Sequence, residues 1–217
     1  MARPFATWGR ELLTALDTIQ AVSCREQIVY VAADGSQSTS STWMMRHESK
    51  DSYRRDIYDG DVLREIQWYV PDGNDVTIHY CIRYDVGCYG STRGKGSFGV
   101  QDPVERMRFY IRLLDRADRV LGEQVIDGRT CVGFEIRASK YGSNPDTWLD
   151  RIWFDTQTKL PVRIEQSGRP VTGDAATTFT AIMDQFNYNA QLPADTFIPQ
   201  EPPKGFIDAH PDDLPRK

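Results

Sequence analysis

Between Arg25 and Tyr84 the sequence sets out short strand-like segments, each closed by a tight-turn signal, and no helical period interrupts them. Ile28 and Tyr30 alternate with Gln27 and Val29 before the reversal Ala33-Asp34-Gly35-Ser36. Thr42 to His47 follows, then Tyr53 to Tyr58, which stops at Asp59-Gly60-Asp61. Leu63 to Val70 runs into Pro71-Asp72-Gly73-Asn74, and Asp75 to Tyr84 completes the series. Asp-Gly readily takes the positive φ that a tight reversal needs, so segments of this length fold back on one another as antiparallel hairpins. Parallel strands would require crossover connections of a dozen residues or more. Residues 26–84 leave no room for them, and an antiparallel meander is the expectation.

Helical periods flank the meander. Trp8, Leu12, Ala15, Leu16 and Ile19 predict an N-terminal helix over residues 8–22 with Thr7 as its N-cap. A central helix is expected over 102–121, where Asp102 caps, Pro103 takes the first helical position and Glu105 sits three residues after the cap. Val104, Met107, Ile111, Leu114 and Leu121 form its apolar stripe, and arginines occupy the other faces. Residues 87–101, rich in glycine, read as a loop between meander and helix. A second group of strands is expected over 123–188, including a hairpin around Thr156-Gln157-Thr158-Lys159. Residues 192–217 are a proline-rich tail, expected to lie over the surface or to be disordered. The order predicts an α+β fold, mainly antiparallel β, in one domain spanning 1–217. That length suffices to bury a continuous core without metals or disulfides.

Few motifs carry chemistry. Gly94-Lys95-Gly96-Ser97-Phe98-Gly99 matches G-x-G-x-x-G, yet no V-A-I-K, H-R-D or D-F-G accompanies it and no parallel βαβ unit surrounds it. A flexible loop before a helix accounts for it better than a phosphate cradle. His47, His79 and His210 are dispersed, and no catalytic or metal-binding signature occurs, so neither a metal nor a cofactor is expected. Carboxylate pairs such as Asp59/Asp61 and Asp72/Asp75 fall on turns, where acidic residues start reversals. Cys81 and Cys88 flank a turn-rich segment; they are either bridged in an oxidising compartment or, with Cys24 and Cys131, reduced and buried. The net charge of −5 argues against nucleic acid, because phosphate neutralisation supplies much of such affinity. No apolar run is long enough to span a bilayer, and the first twenty residues do not read as a signal peptide.

The stripe of the central helix admits two readings. Met107, Ile111 and Leu114 either pack on the sheet as ordinary core or line one wall of an apolar cavity. In the second case Trp43, Trp68, Tyr80 and Trp153 would supply the other wall, depending on which face of each strand turns inward.

The stretch Asp150-Arg151-Ile152-Trp153-Phe154-Asp155-Thr156-Gln157-Thr158-Lys159-Leu160-Pro161-Val162-Arg163-Ile164-Glu165 resembles the W-x-D-x-x-T-x-L-P-x-R-x-E hairpin of the LolA/LolB-like superfamily. That superfamily includes lipoprotein carriers and RseB-like sensor domains of envelope stress systems. The ending Ile182 to Asn189, with Leu192-Pro193 and Phe197-Ile198-Pro199, is similar to its closing strand and tail. The resemblance implies an incomplete, half-open β-barrel with a lid helix, and a non-catalytic binding role for an acyl chain or lipidated protein. It further implies a periplasmic or otherwise extracytoplasmic location, with leader or anchor absent from this chain, and an envelope signalling protein as a candidate partner; composition by itself leaves a cytoplasmic protein equally open. Two rival readings stand beside it. One is an enzyme on a curved sheet with His79, Tyr80 and Asp85 near the Gly-rich segment; the other is an interaction domain without a small-molecule ligand.

Overall fold

In the computed structural model, residues 4–47, 52–73, 76–95, 102–137, 148–169 and 177–209 are described. The meander is formed by β1 (Ala21–Val31), β2 (Gln37–His47), β3 (Ser52–Asp59), β4 (Val62–Pro71), β5 (Val76–Arg83) and β6 (Cys88–Lys95). Each strand pairs antiparallel with the next. The second group is β7 (Arg119–Ile126), β8 (Arg129–Arg137), β9 (Leu149–Asp155), β10 (Pro161–Gly168) and β11 (Thr178–Tyr188), again antiparallel in succession. The β7–β8 turn shows the local cause: Asp127 and Gly128 both take positive φ, 49° and 75°, as a type I′ reversal requires.

Strand β11 pairs with β1, welding the two groups into one twelve-stranded sheet of order β12-β6-β5-β4-β3-β2-β1-β11-β10-β9-β8-β7. The last member, β12 (Ile207–Asp208), runs parallel to the start of β6. Strands β12 and β7 end the order, so the sheet is open, an α+β half-barrel with two helices.

Helix α1 (Pro4–Leu16) and helix α2 (Pro103–Leu113) cover one face. Leu12, Leu16, Met107, Ile111 and Leu114 pack there with Val22, Met44, Phe134, Ile152, Phe154 and Met183 from the sheet. Each such side chain contributes roughly 1.5–3 kcal/mol on leaving water, which is why α1, only thirteen residues long, holds as a helix.

Several boundaries differ from the sequence expectation. Helix α1 already includes position 7, so Thr7 is not its cap, and it ends at Leu16 where the Thr18 hydroxyl donates to the Ala15 carbonyl (2.7 Å). Residues 21–22 are strand, because Ala21 and Val22 pair with His47 and Arg46 of β2. Helix α2 stops at Leu113, followed by one 3-10 turn (Leu114–Arg116). Leu121 therefore lies on β7; its helical spacing from Leu114 is a coincidence. Cys88–Lys95, expected as loop, is strand β6, since pairing with β5 outweighs the low β-propensity of glycine. The described part of the tail, residues 192–209, lies against the sheet and contributes β12. The expected turn at Asn74 and Asp75, the remainder of the glycine motif over residues 96–101, Ala138 and His210 lie outside the described residues.

Candidate functional site

Side chains alternate along a strand, so the register decides what shares a face. Cys24 pairs with Met44, and both belong to the core beneath the helices. One residue further along, Trp43 pairs with Arg25 and Asp56, Asp56 with Ile66, Ile66 with Ile82, and Ile82 with Tyr89. The adjacent row runs Met45, Arg54, Trp68, Tyr80, Ser91. Both rows face away from α1 and α2.

On the helix side, polar anchors fix α2 to the sheet. Asp102 accepts from the backbone N–H groups of Val104 (2.8 Å) and Glu105 (3.4 Å) while its carboxylate holds Arg46 of β2. Burial raises the Asp102 pKa, with Arg46 pulling the other way. Four residues on, Arg106 pairs with Glu26 of β1, and both are largely buried. Tyr110 lies next in this network and accepts from Gln166 at 3.5 Å, and Gln166 also donates to Asp150 at 3.0 Å. Burial pushes the Tyr110 hydroxyl up to about 12, so it stays a neutral hydroxyl in this network. An ion pair removed from water adds little net stability but strongly penalises the loss of one partner. The seat of α2 is thereby specified by charge as well as by apolar contact.

The opposite face carries a groove of about 490 Å³ between β4–β6 and the C-terminal tail. Trp68, Tyr80, Ile82 and Tyr89 line its sheet side, and Pro199 and Pro202 its tail side. The Trp68 indole N–H donates to the Thr196 carbonyl (3.2 Å), and the Arg54 guanidinium stacks over the indole at 5.4 Å. Phe197 packs edge-on against His47, and Phe206 against Tyr84. The tail therefore crosses the groove face as a strap. Its end is pinned by Ile207 and Ala209 N–H groups donating to the Gly87 and Tyr89 carbonyls (3.0 and 2.9 Å).

The sequence-derived cavity residues thus separate. Met107, Ile111 and Leu114 lie in the helix-side core, whereas Trp43, Trp68, Tyr80 and Trp153 lie on the other face of the sheet. A single chamber walled by both sets does not form, because the sheet stands between them. Trp68 and Tyr80 come together in the groove. Trp43 is half-buried between Arg25 and Asp56. Trp153 covers Gly133, where a Cβ would sit 2.5 Å from the indole, in a separate apolar patch with Ile126, Cys131 and Val162. Ile82, Tyr89 and the tail prolines were missed as site residues. Alternation with Tyr80 and Trp68 would have indicated Ile82, while the tail contacts had no sequence signal.

The residues of the enzymatic reading do not converge. His79 stacks on Tyr69 (4.4 Å) on the helix-side face, adjacent Tyr80 points the other way, and Asp85 is held by Arg64 and Arg83. No group of three or more metal-ligating side chains gathers among the described residues. All four cysteines are free and buried. Cys81 stands opposite Gly90 and Cys88 opposite Arg83, a diagonal offset of roughly 7–8 Å between Cα atoms, too long for a disulfide without backbone movement. No helix among the described residues is long and apolar enough to cross a membrane.

No protein-family model and no curated protein sequence matches the chain. Solved structures of similar shape are matched along most of its length. The Mycobacterium tuberculosis lipoprotein LppX is 11% identical, with 90% of this chain and 100% of that one covered and a TM-score of 0.49. A DUF1329 family protein from Desulfovibrio piger is 14% identical (90% and 98% covered, TM-score 0.41). A LolA superfamily protein from Nitrosomonas europaea is 11% identical (87% and 96% covered, TM-score 0.34).

Proposed function

We propose that this chain is a non-catalytic binding protein of the bacterial cell envelope, in a carrier or sensor role. Its guest is an apolar chain, a lipid acyl group or the acylated end of a lipoprotein, held in the groove between β4–β6 and the tail. The observation that carries this reading is the groove itself. Its volume of about 490 Å³ falls in the range of small-molecule sites; aromatic rings, Ile82 and Cys81 form its sheet side, while prolines alternate with Gln200 and Glu201 along the tail and Ser91 and Asp208 add polar groups. The envelope assignment is supported by the hairpin and closing-strand signatures in the sequence. The core beneath α2 is filled by its own side chains, which favours the groove as the place for a guest.

Titration with a dansylated fatty acid tests the reading. Saturable binding is expected, and Tyr80→Glu should weaken it at least tenfold by placing a charge on the groove wall. A fatty acid brominated along its chain should quench tryptophan emission in the parent protein and much less in Trp68→Phe. Absence of saturable binding, or quenching unchanged in Trp68→Phe, rules the groove out.

A further inference from the structure

We propose a second binding site, for a neutral saccharide, in a cleft at the hairpin-turn end of β1–β5 on the helix-side face. It goes beyond the acyl-binding reading and does not depend on it. The cleft measures about 340 Å³ and is lined by Tyr30, Ser38, Ser40, Arg64, Arg83 and Asp85, with Asp59 and Glu65 completing its polar wall. The register places Tyr30 opposite Ser38 and Ser40 opposite Asp59, so their side chains share the cleft face.

The charges in this cleft are already matched to one another. Arg64 donates to Asp59 (2.9 Å) and to Asp85 (3.0 Å), and Arg83 donates to Asp85 (2.9 Å). Glu65 accepts from Gln67 and from the Cys81 thiol. Three carboxylates against two guanidinium groups disfavour an anionic ligand, and the salt bridges leave no bare carboxylate pair for a cation. The cleft offers fixed, alternating donors and acceptors: hydroxyls of Ser38 and Ser40, N–H groups of the two arginines not used in those bonds, and free carboxylate lone pairs. A ligand that both donates and accepts at several points and carries no charge fits this pattern, and a sugar ring is such a ligand. Tyr30, 39% exposed and backed by Phe179 with ring centroids 6.3 Å apart, supplies a flat apolar surface for the C–H face of the ring.

The backbone is shaped for the same purpose. The β3–β4 register slips between Ile57 and Tyr58, leaving Arg64 without a partner residue on β3. A bulge of this kind re-aims a side chain, here the guanidinium that spans Asp59 and Asp85.

Isothermal titration of the full chain with methyl β-glucoside and maltose, with glucose 6-phosphate as the anionic control, is the test. A parallel arm uses phosphatidylcholine vesicles with and without a galactosyl diacylglycerol. The expected result is saturable binding of the neutral sugars, or of glycolipid vesicles over plain ones if the sugar is read as a headgroup. Tyr30→Ala and Arg64→Gln, both at partly exposed positions, should each weaken that binding at least tenfold. Tyr80→Glu in the acyl groove should leave it unchanged. No binding in either arm, binding that survives both cleft substitutions, or preference for the phosphorylated sugar overturns the proposal.

Discussion

Glu135 is 3% exposed, yet two guanidinium groups reach it from the neighbouring strands. Arg119 of β7 approaches at 3.0 Å and Arg151 of β9 at 3.1 Å, so one carboxylate ties three strands together near the β7 edge. Burial alone would raise its pKa, but the hydrogen bonds and charges of the two arginines outweigh it and hold the group below the ordinary glutamate value. A folded-state pKa below the unfolded one means that the unfolded chain binds the proton more tightly. The resulting stabilisation is present above the unfolded value, about 4.3, and is lost as pH falls through the depressed folded value. Glu135→Gln should therefore flatten the acid limb of a plot of urea midpoint against pH below about 5, while lowering the midpoint at neutral pH. An acid limb as steep as that of the parent would show that Glu135 is not a source of the acid sensitivity.

At the scale of elements, the meander and the start of α2 were legible because their causes are local. Asp-Gly turns specify reversals, and Asp102-Pro103 specifies a helix start whatever surrounds it. Strand β6 was not legible, since Gly90 and Gly94 read as loop until a partner strand supplies hydrogen bonds. The faces were not legible either. That Trp68 and Tyr80 share a side follows from the β4–β5 register, and which side the helices take is decided by long-range pairs such as Arg46–Asp102 and Arg106–Glu26. The same pairs yield a prediction for α2. Asp102→Ala removes a cap worth about 1 kcal/mol and leaves Arg46 without this carboxylate, a loss of about 3–5 kcal/mol for a buried pair. Asp102→Asn keeps an oxygen for the Val104 N–H and should be about 1 kcal/mol less damaging. Urea unfolding of the two variants separates the contributions, and equal losses would mean that the cap itself adds nothing.

For the whole molecule the decisive element is β11. It pairs with β1 on one side and β10 on the other, so among the described residues it is the strand that joins the six meander strands to the four strands β7–β10 within the sheet. It also places Met183 and Phe186 in the core beneath the helices. Strands so distant in sequence pair late and slowly, because loop closure must precede the contacts that reward it. The tail beyond it plays a different part: it covers Trp68 and the groove and holds one short parallel pairing with β6. Two truncations should therefore behave unlike one another. A chain ending at Gly168 leaves β1 and β10 without a shared partner and should show no cooperative urea transition. A chain ending at Ala190 keeps β11 and the bond from the Asn189 N–H to the Ala21 carbonyl (2.6 Å), and should retain the far-ultraviolet dichroism of the full chain. In that second chain the loss of the strap uncovers Trp68, so its emission should shift to the red and binding of an apolar dye should rise. If the chain ending at Gly168 unfolds cooperatively, the two groups of strands fold independently and β11 is not the joint. If the chain ending at Ala190 collapses as well, the strap is part of the core and not a cover for the groove.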